Sequence, residues 1–197
     1  MNKTLGEEEL DVLFRRARTQ RSWRAERVTE DLLLAIYELA KWGPTINNTC
    51  PARFSFVLSP GAKQRLKPHL NPGNVEQTMA APATAIIGYD LAFYDYMPKL
   101  SSKPGARESW QKRSPAELQE AAFRSGSLQA GYLIVAARAL GLDCGPMSGF
   151  NNEGVDREFF AGTAIKSNLL CNLGFGDGAS LQPRAGRLEF SEACRLL

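Results

Sequence analysis

The sequence has 197 residues, 44% of them hydrophobic and 23% charged, with a formal net charge of +3. That is the size of one large domain with an ordinary water-soluble core, and the charge is too mild and too scattered for a nucleic-acid surface. A single histidine, His69, excludes multi-histidine metal sites and leaves any Ser-His-Asp triad to His69 alone.

In chain order, Thr4 to Glu7 reads as a capping box ahead of Leu10, Leu13, Phe14 and Ala17, one face of a first helix. The acidic, polar N-terminus is not that of a signal peptide. Residues 18–28 are polar and basic. Thr29 then caps a second helix, with Glu30 and Asp31 in its first turn and Leu32, Leu33, Ile36, Leu39 and Ala40 as its buried stripe. Trp42-Gly43-Pro44 ends it, and 45–51 is an Asn- and Thr-rich loop. Residues 54–58 form a strand. Ser59-Pro60 opens a short helix that Pro68 interrupts, with His69 at the surface. Residues 71–74 form a turn, 75–80 one or two helical turns, and the apolar run 83–89 a central strand. Residues 91–113, aromatic and then rich in Ser, Lys, Pro and Gly, read as an irregular excursion or lid.

The strongest local signal is residues 114–150. Ser114, Pro115 and Glu117 start a long helix as cap, first-turn proline and capping-box partner, and Gly141 is its left-handed stop. The Gly- and Pro-rich run 142–150 reads as a tight loop. It is either a cradle for a flat ligand or only a connection. Residues 155–160 are a short helix, 167–173 a buried strand, and 176–187 a Gly/Pro-rich basic stretch. Few strands, each set between helical segments, indicate α+β or α/β with one sheet. No run of about 18 apolar residues exists to span a membrane. Cys50, Cys144, Cys171 and Cys194 read as four reduced thiols, which points to the cytoplasm.

Four polar clusters stand out. Arg18, Thr19 and Arg21 offer two guanidinium forks and a hydroxyl to a phosphate, although a solvated linker is the plainer reading. Pro44, Thr45, Ile46, Asn47 and Asn48 offer amides to a heterocycle, against a simple helix exit. Arg184 and Arg187 suit an anion, against a surface charge pair. Gly145, Pro146, Met147, Ser148 and Gly149 present backbone to a ring, against a structural turn. Two motifs mislead. Gly174-Phe175-Gly176-Asp177-Gly178 lacks the order of a dinucleotide fingerprint. Cys50 and Cys144 lack a histidine partner in sequence and read as inert thiols.

Taken in order and spacing, these clusters resemble the nitroreductase family of FMN enzymes over nearly the whole chain. The runs Lys41-Trp42-Gly43-Pro44-Thr45, 139–150, Phe159-Phe160-Ala161-Gly162 and Lys166-Ser167-Asn168-Leu169-Leu170 are similar to those of a subgroup that reduces malonic semialdehyde in uracil degradation. The resemblance implies one α+β domain over 1–197, with a central mixed or antiparallel sheet flanked by helices. It implies a homodimer whose interface is built largely by the long helix, with the small residues between 121 and 139 (Ala122 and Gly126 among them) allowing close approach there.

The resemblance also places the cofactor. Arg18, Thr19, Arg21, Arg184 and Arg187 would hold the FMN phosphate, and Asn74 and Gln77 the pyrimidine edge of the flavin. Pro146, Met147, Ser148 and Gly149 would lie over its ring, and Pro44, Thr45, Ile46 and Asn48 would line it from the partner subunit. The chain departs from the family pattern at three positions: Ala17 stands where an arginine is usual, Cys50 where a glutamine is, and Ser148 where many relatives carry an acid. The implied activity is ping-pong hydride transfer from NADPH or NADH through flavin N5 to malonic semialdehyde, giving 3-hydroxypropanoate. A broad nitroaromatic or quinone reductase, and a flavin-binding protein without turnover, are the other two readings.

Overall fold

A computed structural model describes residues 3–179 and 181–197. Helices α1 (Glu7–Leu10), α2 (Glu30–Ala40), α3 (Pro60–Leu66), α4 (Pro72–Ala80), α5 (Met97–Leu100), α6 (Ala106–Gln111), α7 (Pro115–Ala139), α8 (Asn152–Phe159) and α9 (Phe190–Ala193) surround a sheet of four strands. The strands are β1 (Ala52–Val57), β2 (Ala83–Asp90), β3 (Asp143–Met147) and β4 (Ile165–Gly174). They lie in the order β1-β2-β4-β3, and every pairing is antiparallel. The apolar run predicted as a central strand is β2, buried along all of its length.

The two-residue period of β2 sorts its side chains between two helical layers. Ala85 and Ile87 join Cys171, Leu173 and Cys144 under α2 and α7. Ile86 joins Leu170 under α3 and α8. A third cluster packs Tyr89 and Phe93 against Ala121 and Ala122 at the start of α7.

The capping box of α7 forms as read. Glu117 N donates to Ser114 Oγ at 3.3 Å, and Ser114 N donates to Glu117 Oε2 at 2.9 Å. Gly141 takes the left-handed conformation at φ +83° just after the helix. The box expected at Thr4 does not form. Gly6 is the N-cap of α1, and the Glu7 carboxylate accepts from Arg15 at 2.6 Å instead of turning back to a cap. The chain continues as a π-helical turn over Asp11–Arg15, which leaves Phe14 exposed and Ala17 outside the helix.

Other expectations are corrected by packing. Leu39 is exposed, because Leu33, Ile36 and Ala40 already fill the α2–sheet contact. Residues 71–74 are not a free turn, since Asn71 caps α4 and Pro72 begins it. His69 lies over the backbone of Gly154 in α8 and is only partly exposed. Residues 91–113 carry a 3-10 turn (Phe93–Tyr96), α5 and α6. They are pinned by buried Phe93 and Met97, with Trp110 edge-on to Phe93 at 5.0 Å.

The largest correction concerns α7. Its small residues bury against the sheet of their own chain. A Cβ on Gly126 would stand 3.1 Å from Tyr89 Cβ, Ser125 Oγ accepts from Ile46 N at 3.2 Å, and Gln129 Oε1 accepts from Ala52 N at 2.9 Å. The close approach read from these residues is therefore real, but it is helix to sheet within one chain. The outward face of α7 carries Phe123, Leu128 and Tyr132, which are 48%, 48% and 43% exposed.

Candidate functional site

Two arginine clusters distant in sequence meet in one basic cavity. Residues 17–21 leave the first helix, and the stretch 181–187 returns beside them around a cavity of about 350 Å³. Arg184 Nη2 donates to the carbonyls of Arg15 at 2.6 Å and Ala17 at 2.9 Å, and Arg18 donates to the carbonyl of Gln182. Five arginines line the cavity, namely Arg18, Arg21, Arg138, Arg184 and Arg187, and no acidic residue does. None of the five forms a salt bridge among the described residues, although Arg15 and Arg16 beside them both pair with Asp11. A concave surface of unneutralised guanidinium groups is built for an anion with several oxygens.

From this cavity residues 18–23 run along the outer edge of the sheet. Thr19 bridges Cys144 and Trp23 bridges Gly176, with Gln20 N donating to Cys144 O at 3.0 Å. Gly145 permits the approach, since a Cβ there would stand 2.6 Å from Gln20 O. Gln20 is only 6% exposed, and its Oε1 has no hydrogen-bond partner among the described residues. Nothing in the polar run 18–22 distinguishes this buried residue from its exposed neighbours.

The run 142–150, read as a loop, is a strand as far as Met147. Pairing from Asp143–Gly174 to Met147–Leu170 gives its backbone ladder partners, and Pro146 is tolerated on an edge strand, where a missing N–H is not needed. Only Ser148 onward is loop, and Ser148 is exposed. That loop is docked on the start of α4. Asn71 N and Asn74 Nδ2 both donate to Gly149 O, at 3.1 and 2.8 Å. Gln77 Nε2 donates to Asn74 Oδ1 at 2.7 Å, and Trp23 Nε1 to Gln77 O at 3.1 Å. Gly149 is required here, because a Cβ would stand 2.6 Å from Asn74 Nδ2.

Below, a buried relay holds the strands and α4 in register. Thr84 Oγ1 donates to Asn172 Oδ1 at 2.7 Å, Asn172 Nδ2 to Thr78 Oγ1 at 3.3 Å, and Thr78 Oγ1 lies 3.5 Å from Met147 Sδ. Lys63 closes the far end of α4 by donating to the carbonyls of Met79 (3.2 Å) and Ala81, and burial lowers its pKa. One chain thus brings together Arg18, Thr19, Arg21, Pro146, Met147, Gly149, Asn74, Gln77, Arg184 and Arg187 along one edge of the sheet. Cys144 and Gly149, which mark its two ends, are at most about 17 Å apart along the strand direction.

Pro44, Thr45, Ile46 and Asn48 are elsewhere. Ile46 is bonded to Ser125, whereas the basic cavity meets α7 at Arg138. Those two positions are separated by about 20 Å of helix. This second region is strained, with Asn47, Asn48 and Cys50 at φ +49°, +57° and +42°. Each such residue costs on the order of 1–2 kcal/mol. The turn is held by Cys50 N donating to Thr45 Oγ1 at 3.1 Å and by Asn48 Nδ2 donating to Leu100 O at 2.9 Å. Thr49 Oγ1 is buried without a partner among the described residues. Trp42, just before it, is 77% exposed.

Sequence reasoning missed Arg138, Gln20, Trp23 and the Thr84–Asn172–Thr78 relay. Trp23 alone carried a signal, as a large aromatic in a polar stretch. Among the described residues no cluster of side chains suits a metal ion, and no helix is long and apolar enough to cross a membrane. All four cysteines are free; a hydrogen bond with Cys144, together with burial, pushes the Cys171 thiol well up, in keeping with an unreactive buried thiol.

The family model described as "Nitroreductase family" matches residues 14–177. A chain from Stenotrophomonas maltophilia (strain K279a), described by name as a candidate NADH dehydrogenase/NAD(P)H nitroreductase, is 54% identical over 196 residues, covering 100% of both chains. A chain of the same description from Burkholderia lata is 52% identical over 193 residues, covering 98% of each. Among solved structures, a nitroreductase-type protein from Exiguobacterium sibiricum in complex with FMN superposes with a TM-score of 0.86 at 18% identity, covering 100% of both chains, a likeness of fold.

Proposed function

Because the chain belongs to the nitroreductase family, we propose that it binds FMN and uses NAD(P)H to reduce a small oxidised organic substrate. The observation that carries this is the continuous edge in one chain, with an acid-free arginine cavity at one end and the Asn74–Gln77 amides at the other. The donor chemistry fits the cofactor. Guanidinium forks suit a phosphate monoester, amides suit a pyrimidine edge, and the buried Gln20 Oε1 is an acceptor free for a ligand donor. When bound, FMN supplies the hydride chemistry, which accounts for a site with no histidine base and no metal cluster among the described residues.

The protein's part is to hold and orient. Arg18, Thr19, Arg21, Arg184 and Arg187 fasten the phosphate. Asn74, set by Gly149, and Gln77, set by Trp23, address the ring edge. Pro146 and Met147 form a stiff strand against the ring, and Ser148 stands exposed beside them, free to influence which substrate enters. Pro44, Thr45, Ile46 and Asn48 complete the site from a second copy in a homodimer. Cys50 of the strained turn lines a cavity of about 750 Å³ with Arg53, Tyr96 and Lys99, and apolar Trp42, Phe123, Leu128 and Tyr132 form the surface on which that copy packs.

For the substrate, the family-level reading is a nitroaromatic or quinone compound, favoured by the names of relatives more than half identical over nearly the whole chain. The finer reading is malonic semialdehyde, supported by the runs 41–45 and 139–150. Lys99 is a cation available to its carboxylate, adjacent to Leu100, whose carbonyl holds Asn48. Steady-state kcat/KM for malonic semialdehyde, a nitroaromatic and a quinone, measured with NADPH and with NADH, decides between them. Oxidation of NAD(P)H no faster with the aldehyde than without it eliminates the finer reading. Failure of NAD(P)H to bleach bound flavin eliminates catalysis altogether.

A further inference from the structure

The chain has alanine at position 17, a short side chain in the lining of the basic cavity, and Arg138 is part of the same lining. It belongs to the last turn of α7, which ends where 17–21 turn onto the sheet edge, and it lines the cavity together with Ala17, Arg18, Arg21, Arg184 and Arg187. It also lines an adjoining cavity of about 560 Å³ with Phe14 and Arg15.

Its present bonding is weak for a partly buried cation. Arg138 Nη1 donates to Leu13 O at 3.3 Å, and no carboxylate lies within salt-bridge distance of it among the described residues. The other nearby guanidinium with a structural role behaves differently. Arg15 is neutralised by Glu7 and Asp11, both at 2.6 Å. A partly buried arginine with a long bond to one carbonyl, among four other unpaired arginines, lacks the counter-charge that such a group requires. The negative end of the α7 dipole relieves only part of that repulsion. A phosphate monoester carrying about −1.5 to −2 charges supplies the rest.

We infer that Arg138 is a phosphate-binding residue, reaching from the end of the long helix to take the place that Ala17 leaves open. The inference rests on the FMN reading above and concerns its phosphate end. Leu13 O is the resting partner of Arg138, and the phosphate oxygens replace it as acceptor. The last turn of α7 thereby becomes part of the site, so the helix that carries Ser125 against the strained turn 44–50 also holds the anion at its other end.

The test compares FMN with riboflavin, which has the same ring and no phosphate. Flavin fluorescence titrations are made on the full-length chain with wild type, Arg138→Gln, Arg138→Lys and the double variant Ala17→Arg with Arg138→Gln. Arg138→Gln is expected to weaken FMN binding by about ten- to a hundredfold, the scale of a hydrogen bond to a charged group, and to leave riboflavin affinity unchanged. The lysine variant recovers part of the loss, and the Ala17→Arg double variant recovers most of it. Equal losses for FMN and riboflavin assign Arg138 a structural role and overturn the inference, as does an unchanged FMN affinity.

Thermal stabilisation by inorganic phosphate gives an arm that involves no flavin. Wild type is stabilised, and Arg138→Gln is not. Wild type that takes up phosphate but not FMN, with the phosphate response lost in Arg138→Gln, overturns the FMN reading while upholding Arg138 as an anion ligand. An equal response of wild type and Arg138→Gln to phosphate overturns the inference about Arg138.

Discussion

The basic cavity and the strained turn at 44–50 lie at opposite ends of the same stretch of α7 and are built on opposite principles. The cavity is assembled within one chain from three distant stretches, with unstrained backbone and unneutralised positive charge. The turn is local in sequence, carries three non-glycine residues at positive φ, and is tied by hydrogen bonds to Ser125 and Leu100. The first stores its free energy as charge that an anion releases. The second stores it as backbone strain, held by packing. Electrostatic sites answer to charge removal and salt, and strained sites answer to whatever covers them.

Removing charge should have the largest effect. The double variant Arg18→Gln with Arg21→Gln is expected to weaken FMN binding by about a hundredfold or more, from two charge-assisted contacts of roughly 1.5–3 kcal/mol each. Its association state by light scattering should equal that of wild type. Undiminished FMN affinity, measured by fluorescence quenching, would break the assignment of the cavity.

Next come two substitutions on α7 that separate its faces. Leu128→Glu, on the outward side, should shift the proposed dimer toward monomer, with FMN affinity falling in parallel and recovering at high protein concentration. Ala122→Leu, on the inward side, should leave association unchanged and lower Tm. Overpacking of this kind costs about 1–3 kcal/mol, or several degrees for a chain of this size. Sedimentation and thermal melts read the two outcomes, and the reverse pattern would restore the small-residue face as the interface.

The smallest effect is a control that should touch neither region. Ser114→Ala removes the cap of α7 and should cost about 1 kcal/mol near neutral pH, with FMN affinity unchanged. Hydrogen bonding to the Ser114 backbone, helped by Arg113 and the Ser114 hydroxyl, lowers the Glu117 carboxyl from 4.5 to about 2. A carboxyl depressed in the folded state stabilises the protein above its unfolded value and loses that contribution as pH falls through the folded one. The part of the Tm gap that comes from the Ser114 hydroxyl on the Glu117 carboxylate should therefore be full above about pH 4.5 and fade toward pH 2, while the part from the hydroxyl capping Glu117 N persists. A gap independent of pH would show that the Ser114 hydroxyl does not help to hold Glu117 ionised.

Much of the fold was legible because its signals are local. Ser114, Pro115, Glu117 and Gly141 mark both ends of α7 without reference to anything else in the chain. The apolar run of β2 announces a strand covered on both faces. Residues 143–147 were harder, because glycine and proline favour turns by propensity, whereas pairing with β4 outweighs propensity once the neighbouring strand is in place. Residues 91–113 were misjudged for a similar reason. Their composition is that of a loop, yet Phe93 and Met97 find buried positions that only the packed structure provides. Within the site, Asn74, Gln77 and Gly149 were identified through family resemblance, and the structure shows what joins them: two amides on one turn of α4, and a glycine small enough to seat the first.

What the sequence determined by itself was the inventory and the local geometry. It marked where α7 starts and stops, where the guanidinium groups cluster along the chain, and that a single His69 excludes multi-histidine metal sites. These follow from short-range sterics and from the chemistry of individual side chains. Tertiary structure decided what those residues face. Only folding brought Arg138 to a cavity lined by Arg18 and Arg184, buried Gln20 along β3, and turned the small residues of α7 inward while leaving Phe123, Leu128 and Tyr132 outside. A stripe of alanine, serine and glycine permits close approach to any surface. Which surface it meets is set by the competition of all the chain's apolar groups for burial, and no single stretch of sequence encodes the outcome of that competition.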